Sequence, residues 1–493
     1  MTNSYAADLF DSHATDFDPP PRKVKSRQSE LGQFLTRDTV ASFMAGLFPP
    51  SDQPVRLLDA GAGKGALTNA FVHHWRERGR QGRIEAEAYE LDDYVLEGLE
   101  ATAEALRRIN DVTATIIRGD FIERGALMER QGKTPGYTHA ILNPPYKKIN
   151  TASQHRTCLR MIGLETVNLY SGFVGLSLAL MAAGGELVAI IPRSFCNGPY
   201  YEPFRRFILS RAALQHIHLF HSRNKAFSDD GVLQENVIIR MTKGATQGDV
   251  IVSTSSDDRF ADYEETHHPF ARIVLPGDQN QFIHIPTDDE PQLLASPAFG
   301  FRLEDLGVSV STGPVVDFRM REETRADPEP GTVPLLYPGH FTRDGLEWPK
   351  PGFKKPNAIR RNRVTEKWLF PAGYYALVRR FSSKEERRRI VANVLEPADL
   401  QAEKIGIENH LNVIHVQKRS LDRYVAHGIA SYLNSTAVDQ YFRRFNGHTQ
   451  VNATDLRTLP YPSRDAVIEL GKWAVANPGA PQEALDIQIA RIA

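Results

Sequence analysis

Apolar residues in the first half of the chain fall into short runs separated by stretches of helical period. The runs VRLLDA (55–60), IEAEAYELDD (84–93), ATIIRGD (114–120), HAILN (139–143), GELVAIIPRSF (185–195), LQHIHLF (214–220) and ENVIIRM (235–241) read as strands. Between most of them lie segments long enough for crossover helices, such as LYSGFVGLSLALMAAGG (169–185). Seven strands with helical spacers predict an α/β fold built on a doubly wound, mostly parallel sheet. The last two runs are joined by a loop with little helical pattern, which predicts an antiparallel final strand.

After residue 245 the β-α alternation gives way to prolines, aromatics and short irregular runs, with no internal repeat. The pattern predicts a flexible arm over 1–29, an α/β domain over 30–245 and a second, mixed α+β domain over 246–493. A length of 493 residues suits this division, being too long for one ordinary core. The formal net charge is −1, so any nucleic-acid partner must be met by local rather than global charge. Two cysteines, Cys158 and Cys196, make neither a disulfide framework nor a metal site and suit a reducing cytoplasm. No apolar signal core opens the chain and no run reaches membrane-spanning length, so the expectation is a cytosolic protein without a membrane partner.

Chemistry gathers at the ends of the expected strands. LLDAGAGKGALT (57–68) places Gly61, Gly63 and Gly65 in a turn directly after the first strand, where an open α/β sheet collects ligands. The turn lacks the G-K-[ST] ending of a P-loop, and its third glycine comes one residue too early for a dinucleotide fingerprint. Glu90 ends the second strand, where a carboxylate can accept from both hydroxyls of a ribose, and Asp120 ends the third, where it can accept from an adenine amino group. Either acid alone is an ordinary loop residue; three successive strand ends with this chemistry point to a nucleoside. The arrangement resembles the S-adenosylmethionine site of Rossmann-like class I methyltransferases, which implies that Asp59 lies near the methionine amino group.

The fourth strand delivers Asn143, Pro144, Pro145 and Tyr146 to the same edge. Proline donates no ladder hydrogen bond, so the pair ends the strand and stiffens the turn around Asn143 and Tyr146. An exocyclic amine is a poor nucleophile because its lone pair is delocalised into the ring. If Asn143 Oδ1 and the Pro144 carbonyl accept its two N–H bonds, the nitrogen can pyramidalise and its developing positive charge is stabilised. Tyr146 would stack on the ring that carries the amine.

These segments together resemble the gamma-class, TaqI-like, adenine-N6 DNA methyltransferases of restriction-modification systems. LGQFLTRDTVASFM (31–44) is similar to the family's N-terminal methionine-binding segment, with Thr36 at the contacting position. AFSDDGVLQENVIIRM (226–241) matches the segment whose aromatic completes the base pocket, a position held here by Phe227. The glycine turn reads DAGAGKG where the family often has a cysteine and a serine. The resemblance spans about residues 30–245. It implies S-adenosyl-L-methionine as cofactor, double-stranded DNA as substrate, a C-terminal target-recognition domain and a separately encoded cognate restriction endonuclease. No histidine has metal-ligand spacing, so no metal is assigned.

The segment 351–389 carries twelve Lys or Arg against three Glu, interleaved with aromatics, and offers Lys354, Lys355, Arg360 and Arg361 for phosphate contacts. Within it, SSKEERRR (382–389) reads as an exposed helix. LNSTAVDQYFRRFNGHTQVNATDLRTLPYP (433–462) resembles the closing segment of target-recognition domains, a helix followed by a polar loop, and offers Asn446, His448, Gln450 and Asn452 to base edges or phosphates. Two further readings stay open from the residues alone. One is a protein glutamine-N5 or ribosomal-RNA guanine-N2 methyltransferase, families that share the N-P-P-[YF] turn. The other is a DNA-specificity protein with a silent catalytic core.

Overall fold

A computed structural model describes residues 36–51, 53–220, 235–286, 292–342, 345–383, 386–446 and 449–492. The expected N-terminal arm and Phe227 and His448 lie outside the described residues. The chain divides into two compact units, with the division after Pro286.

The first unit is built on a nine-stranded sheet in the order β3-β2-β1-β4-β5-β7-β6-β8-β9. Its strands are β1 (Val55–Ala60), β2 (Ile84–Glu90), β3 (Val112–Arg118), β4 (Tyr137–Leu142), β5 (Met181–Pro192), β6 (Ala212–Phe220), β7 (Asn236–Lys243), β8 (Val250–Ser255) and β9 (Glu264–His268). All seven expected runs form strands, and β7 runs antiparallel to both β5 and β6. The sheet then continues past residue 245: β8 pairs parallel with β6, and β9 antiparallel with β8. The compact unit therefore extends about forty residues beyond the boundary expected from sequence. The signal was weak because β9 (EETHH) is an exposed edge strand with no apolar face to betray it.

Among the described residues, seven helices of eight or more residues connect these strands or pack on the sheet: α1 (Asp38–Gly46), α2 (Ala66–Glu77), α3 (Asp93–Arg107), α4 (Phe121–Arg130), α5 (Gln154–Met161), α6 (Leu169–Leu180) and α7 (Glu202–Leu209). Three start on side-chain caps: Asp92 accepts from Tyr94 N, Asp120 from Glu123 N and Ser153 from Arg156 N. Strand alternation feeds two cores. Leu58 and Ala60 join Ile122, Val174 and Leu176 on one face, while Leu57 joins Phe71, Trp75 and Met44 on the other. Burial on both faces explains why the central strands read as continuous apolar runs.

Among the described residues, the second unit holds sheets of four and five strands, a two-stranded pairing of Phe341–Thr342 with Gly345–Leu346, and a helical layer. Strands Ser309–Thr312, Leu411–His415, Tyr375–Arg379 and Ala392–Leu395 form an antiparallel sheet of four. Thr324–Arg325, Ala358–Arg360, Thr332–Leu336, Lys404–Ile407 and Phe370–Pro371 form a mixed sheet of five. Helices Arg423–Leu433 and Arg464–Ala476 cross at glycines: a Cβ on Gly428 would fall 1.9 Å from the Val467 carbonyl oxygen, and one on Gly471 would fall 1.8 Å from that of Tyr424. The segment 382–389 is not the exposed helix expected from its charge. Its described residues take no helical turn, and Arg389 is buried, donating from Nη2 to Asn446 Oδ1 at 2.9 Å and from Nε to Ser382 Oγ at 3.2 Å.

Candidate active site

The carboxyl ends of β1 to β4 come together because the parallel register aligns Ala60 with Tyr89 and Glu90 with Arg118. The turn after β1 docks on β2: the Gly61 and Ala62 amides donate to the Tyr89 carbonyl at 2.9 and 3.0 Å. Gly61, Gly63 and Gly65 all take left-handed φ values of 78°, 57° and 84°. At Gly65 a Cβ would also press on Leu99 and Thr102 at 3.0 Å.

Glu90 is buried, and its carboxylate is held by three backbone amides. Oε2 accepts from Gly63 N at 2.8 Å, while Oε1 accepts from Leu91 N at 2.8 Å and Asp92 N at 2.7 Å. It thus braces the glycine turn, a role its strand-end position did not announce. Asp59 is also buried. Its Oδ2 accepts from Thr68 Oγ1 at 2.7 Å, but Oδ1 has no partner among the described residues. Burial pushes the Asp59 carboxyl up to about 7, against the pull of its Thr68 hydrogen bonds and with a further push from Glu90.

Asp120 caps α4 through Oδ1, which accepts from Glu123 N at 2.9 Å; its Oδ2 lies 2.7 Å from His155 Nε2. Burial raises Asp120, yet the His155 bond and the α4 amides outweigh it and hold the carboxyl below its ordinary range. The bond to Asp120 in turn raises His155 against its own burial. His155 was not singled out from sequence. It reaches Asp120 only because α5 packs beside α4, and no spacing signal marks it. Glu123 completes a trio whose ligand atoms lie within 4.8 Å of one another, but two of the three already bond each other, and we assign no metal there.

On the β4 loop, Asn143 Nδ2 donates to Thr36 Oγ1 at 2.9 Å, and Asn143 Oδ1 accepts from the Tyr146 hydroxyl at 3.1 Å. That hydroxyl has a second acceptor, the Ile190 carbonyl of β5, at 3.2 Å. The carboxamide is therefore gripped at both ends. Pro144 is buried; Pro145 packs near Gly61, where an added Cβ would meet its Cδ at 3.8 Å and Phe173 at 3.5 Å. Cys196 is buried, and burial pushes its thiol up to about 12, as befits a packing residue rather than a nucleophile.

These pieces enclose a cavity of about 300 Å³, with Gly61, Gly63, Glu90, Asp120, Asn143 and Pro145 on its wall. Lys147, His155, Leu91 and Phe173 also line it. The residues suit S-adenosylmethionine. Bare glycine backbone permits close approach and apolar side chains give a ring a wall. Asp59 and Thr36 are not on that wall; the buried Asp59 Oδ1, two residues before Gly61, lacks among the described residues a donor, which an ammonium can supply.

In the second unit, several expected DNA contacts are engaged elsewhere. Lys355 pairs with Asp317 at 3.0 Å, and Arg361 pairs with Glu366 at 3.2 Å and Glu403 at 3.1 Å. Arg360 lies 3.9 Å from Glu329, and Lys354 is exposed. Asn446 is a buried strut between Arg389 and the Gln450 carbonyl. Asn452 starts helix Ala453–Thr458, its amide donating to Asp455 Oδ2 at 2.8 Å, and Gln450 is half-buried beside it. By contrast, Arg319, Arg321 and Arg363 are exposed and meet no carboxylate among the described residues. Arg319 and Arg321 border a hollow of about 400 Å³ with Phe318, Val364 and Trp368. Glu322 and Glu323 line the same hollow, the Arg319 guanidinium lies 5.5 Å from the Phe318 ring centroid, and Phe318 is 60% exposed and Val364 55%.

Residues 78–227 match the Eco57I restriction-modification methylase family. The type II methyltransferase M.BsuBI of Bacillus subtilis is 50% identical over 458 residues, covering 91% of each chain. M.PstI of Providencia stuartii, also a type II methyltransferase, is 42% identical over 456 residues, covering 90% of this chain and 89% of the relative. Among solved structures, a DrdV–DNA complex overlaps 91% of this chain and 57% of its own, at 13% identity and a TM-score of 0.48. Among the described residues, no helix is long and apolar enough to cross a membrane.

Proposed function

The chain belongs to the family of type II DNA methyltransferases represented by M.BsuBI and M.PstI, and from that premise we propose that it methylates the exocyclic N6 of an adenine extruded from duplex DNA. The observation that carries this reading is the Asn143 carboxamide, held between Thr36 and Tyr146 at the rim of the cofactor cavity. When bound, S-adenosylmethionine supplies a methyl group on a cationic sulfur, which departs with the electron pair of the broken bond. Glu90 and Asp120 receive the nucleoside end, Asp59 the amino group, and Thr36 belongs to the segment that receives the methionine end.

The protein's own part is to prepare the nitrogen. Asn143 Oδ1 and the Pro144 carbonyl accept the two amine hydrogens, drawing the lone pair out of the ring and toward the methyl carbon. As the amine arrives, the Tyr146 hydroxyl can turn from Asn143 to the Ile190 carbonyl, leaving Oδ1 to the substrate. The new N–C bond leaves nitrogen positively charged, and one of its protons then passes to solvent. Tyr146, with Phe227 on the segment outside the described residues, stacks on the base.

The second unit chooses the DNA sequence. Its exposed Arg319, Arg321 and Arg363, together with Lys354, contact phosphates, and a separately encoded endonuclease cuts the same site when it is unmethylated. Transfer of tritium from labelled S-adenosylmethionine to DNA, RNA or protein tests the substrate class directly. Single-molecule sequencing of DNA from an expressing host then reports both base and motif. Label in protein or RNA but not in DNA, or in cytosine instead of adenine, would overturn the proposal.

A further inference from the structure

The short segment ahead of α1 is anchored by an element that lies beyond the seven expected strands. Arg37 Nη1 donates to Asp258 Oδ2 at 2.9 Å, across 221 residues of sequence. Asp258 sits in the connection between β8 and β9 and is only 8% exposed. The same connection supplies Phe260, which stacks on Phe43 of α1 with ring centroids 4.1 Å apart and planes inclined by 10°. The Arg37 carbonyl meanwhile accepts the first bond of α1, from Ala41 N at 2.9 Å. Arg37 is thus fixed at backbone and side chain, and its neighbour is Thr36, the acceptor for Asn143 Nδ2.

The stack and the ion pair divide the work. α1 is held to the sheet by buried Val40, Ala41 and Met44 whether or not Asp258 is charged. The pair adds little to that docking, since Arg37 keeps 38% of its side chain in solvent, where ion pairs are weak. What it does constrain is the extended stretch before the helix, at the residue next to Thr36.

We propose that Asp258, acting through Arg37, is a positioning residue for methyl transfer: it seats Thr36 so that the Asn143 carboxamide presents Oδ1 to the target amine. This rests on the reading of Asn143 as the amine acceptor. It also gives β8 and β9 a purpose, because they carry the tether from the far end of the sheet to the catalytic loop. Small displacements matter at such a loop, where misplacing a reacting group by an ångström can cost about a hundredfold in rate.

The test uses the full chain with unmethylated genomic DNA and S-adenosylmethionine in single-turnover assays, together with the side-chain amide ¹⁵N–¹H signals of Asn143 in the protein alone. Asn143→Asp identifies those signals by their loss. Asp258→Ala should slow transfer by about tenfold or more, with DNA affinity and melting temperature unchanged. It should also shift the Asn143 signals as Thr36→Val does. Asp258→Glu should restore most of the rate, and Asp258→Asn, which keeps the shape but not the charge, should not. Unchanged Asn143 signals and rate in Asp258→Ala would overturn the proposal, as would a rate loss that tracks a fall in melting temperature without rescue by Glu. If Asn143→Ala turns over normally, the reading of the loop fails instead, while the Asn143 response to Asp258→Ala still decides the tether.

Discussion

His155 Nε2 stands 2.7 Å from Asp120 Oδ2, so the carboxylate at the end of β3 faces the cavity with a ring from α5 already against it. The two partners shift in opposite directions, Asp120 below its ordinary range and His155 above. The pair therefore contributes stability above the depressed Asp120 value, and that contribution is lost as pH rises through the raised His155 value. By NMR, His155 should titrate above its ordinary 6.5, and Asp120→Asn should bring it back down. A His155 midpoint indifferent to Asp120→Asn would show that the bond is not populated in solution.

Asp59 carries the opposite kind of burden. Burial lifts it from 3.8 to about 7, so its contribution is fully present below pH 3.8 and is lost as pH rises through 7. Asp59→Asn removes the ionisation and should stabilise the protein without cofactor at pH 8, by up to a few kcal/mol at about 1.4 kcal/mol per pKa unit. At pH 5 the gain should be much smaller. The same variant should weaken cofactor binding, because an ammonium loses its countercharge. Thermal melts at the two pH values and calorimetric titration check both halves.

Asn143 is the residue on which the proposed chemistry turns. Its oxygen matters most when the amine nitrogen becomes positive, so binding should depend on it little and turnover strongly. Loss of one preorganised partner of this kind costs about 10²–10³ in rate. Asn143→Ala should bind DNA and S-adenosylmethionine nearly normally and transfer methyl at a rate reduced to that degree. Asn143→Asp keeps an acceptor and should retain partial activity. Wild-type single-turnover rates in Asn143→Ala would reduce the loop to a turn.

The exposed arginines of the second unit, two of them at its hollow, offer a salt-dependent test. Each phosphate contact removed should flatten the slope of log affinity against log salt by roughly 1. Arg319→Ala, Arg321→Ala and Arg363→Ala combined should weaken DNA binding and flatten that slope without altering which base is methylated. Lys355→Ala, which instead breaks a pair with Asp317, should move the slope less. Equal slopes in the triple variant and wild type would place the DNA elsewhere on this unit.

Sequence by itself determined whatever was encoded locally. The central runs became strands because strands buried on both faces are continuously apolar and the outer ones because they alternate, and the glycine turn, Glu90, Asp120 and Asn143 are read from positions at strand ends. β9 escaped because an exposed edge strand needs no apolar face. In the second unit charge misled: SSKEERRR looked solvent-facing, yet Arg389 is buried because Asn446 and Ser382 satisfy its guanidinium. Asn446, taken for a DNA contact, is consumed by the same arrangement. Only the tertiary structure decided who meets whom across long separations. Thr36 and Asn143 are 107 residues apart, Asp120 and His155 are 35 apart, and Arg37 and Asp258 are 221 apart. Such pairs leave no periodicity or spacing in the chain, because a hydrogen bond constrains distance in space and not separation along the backbone.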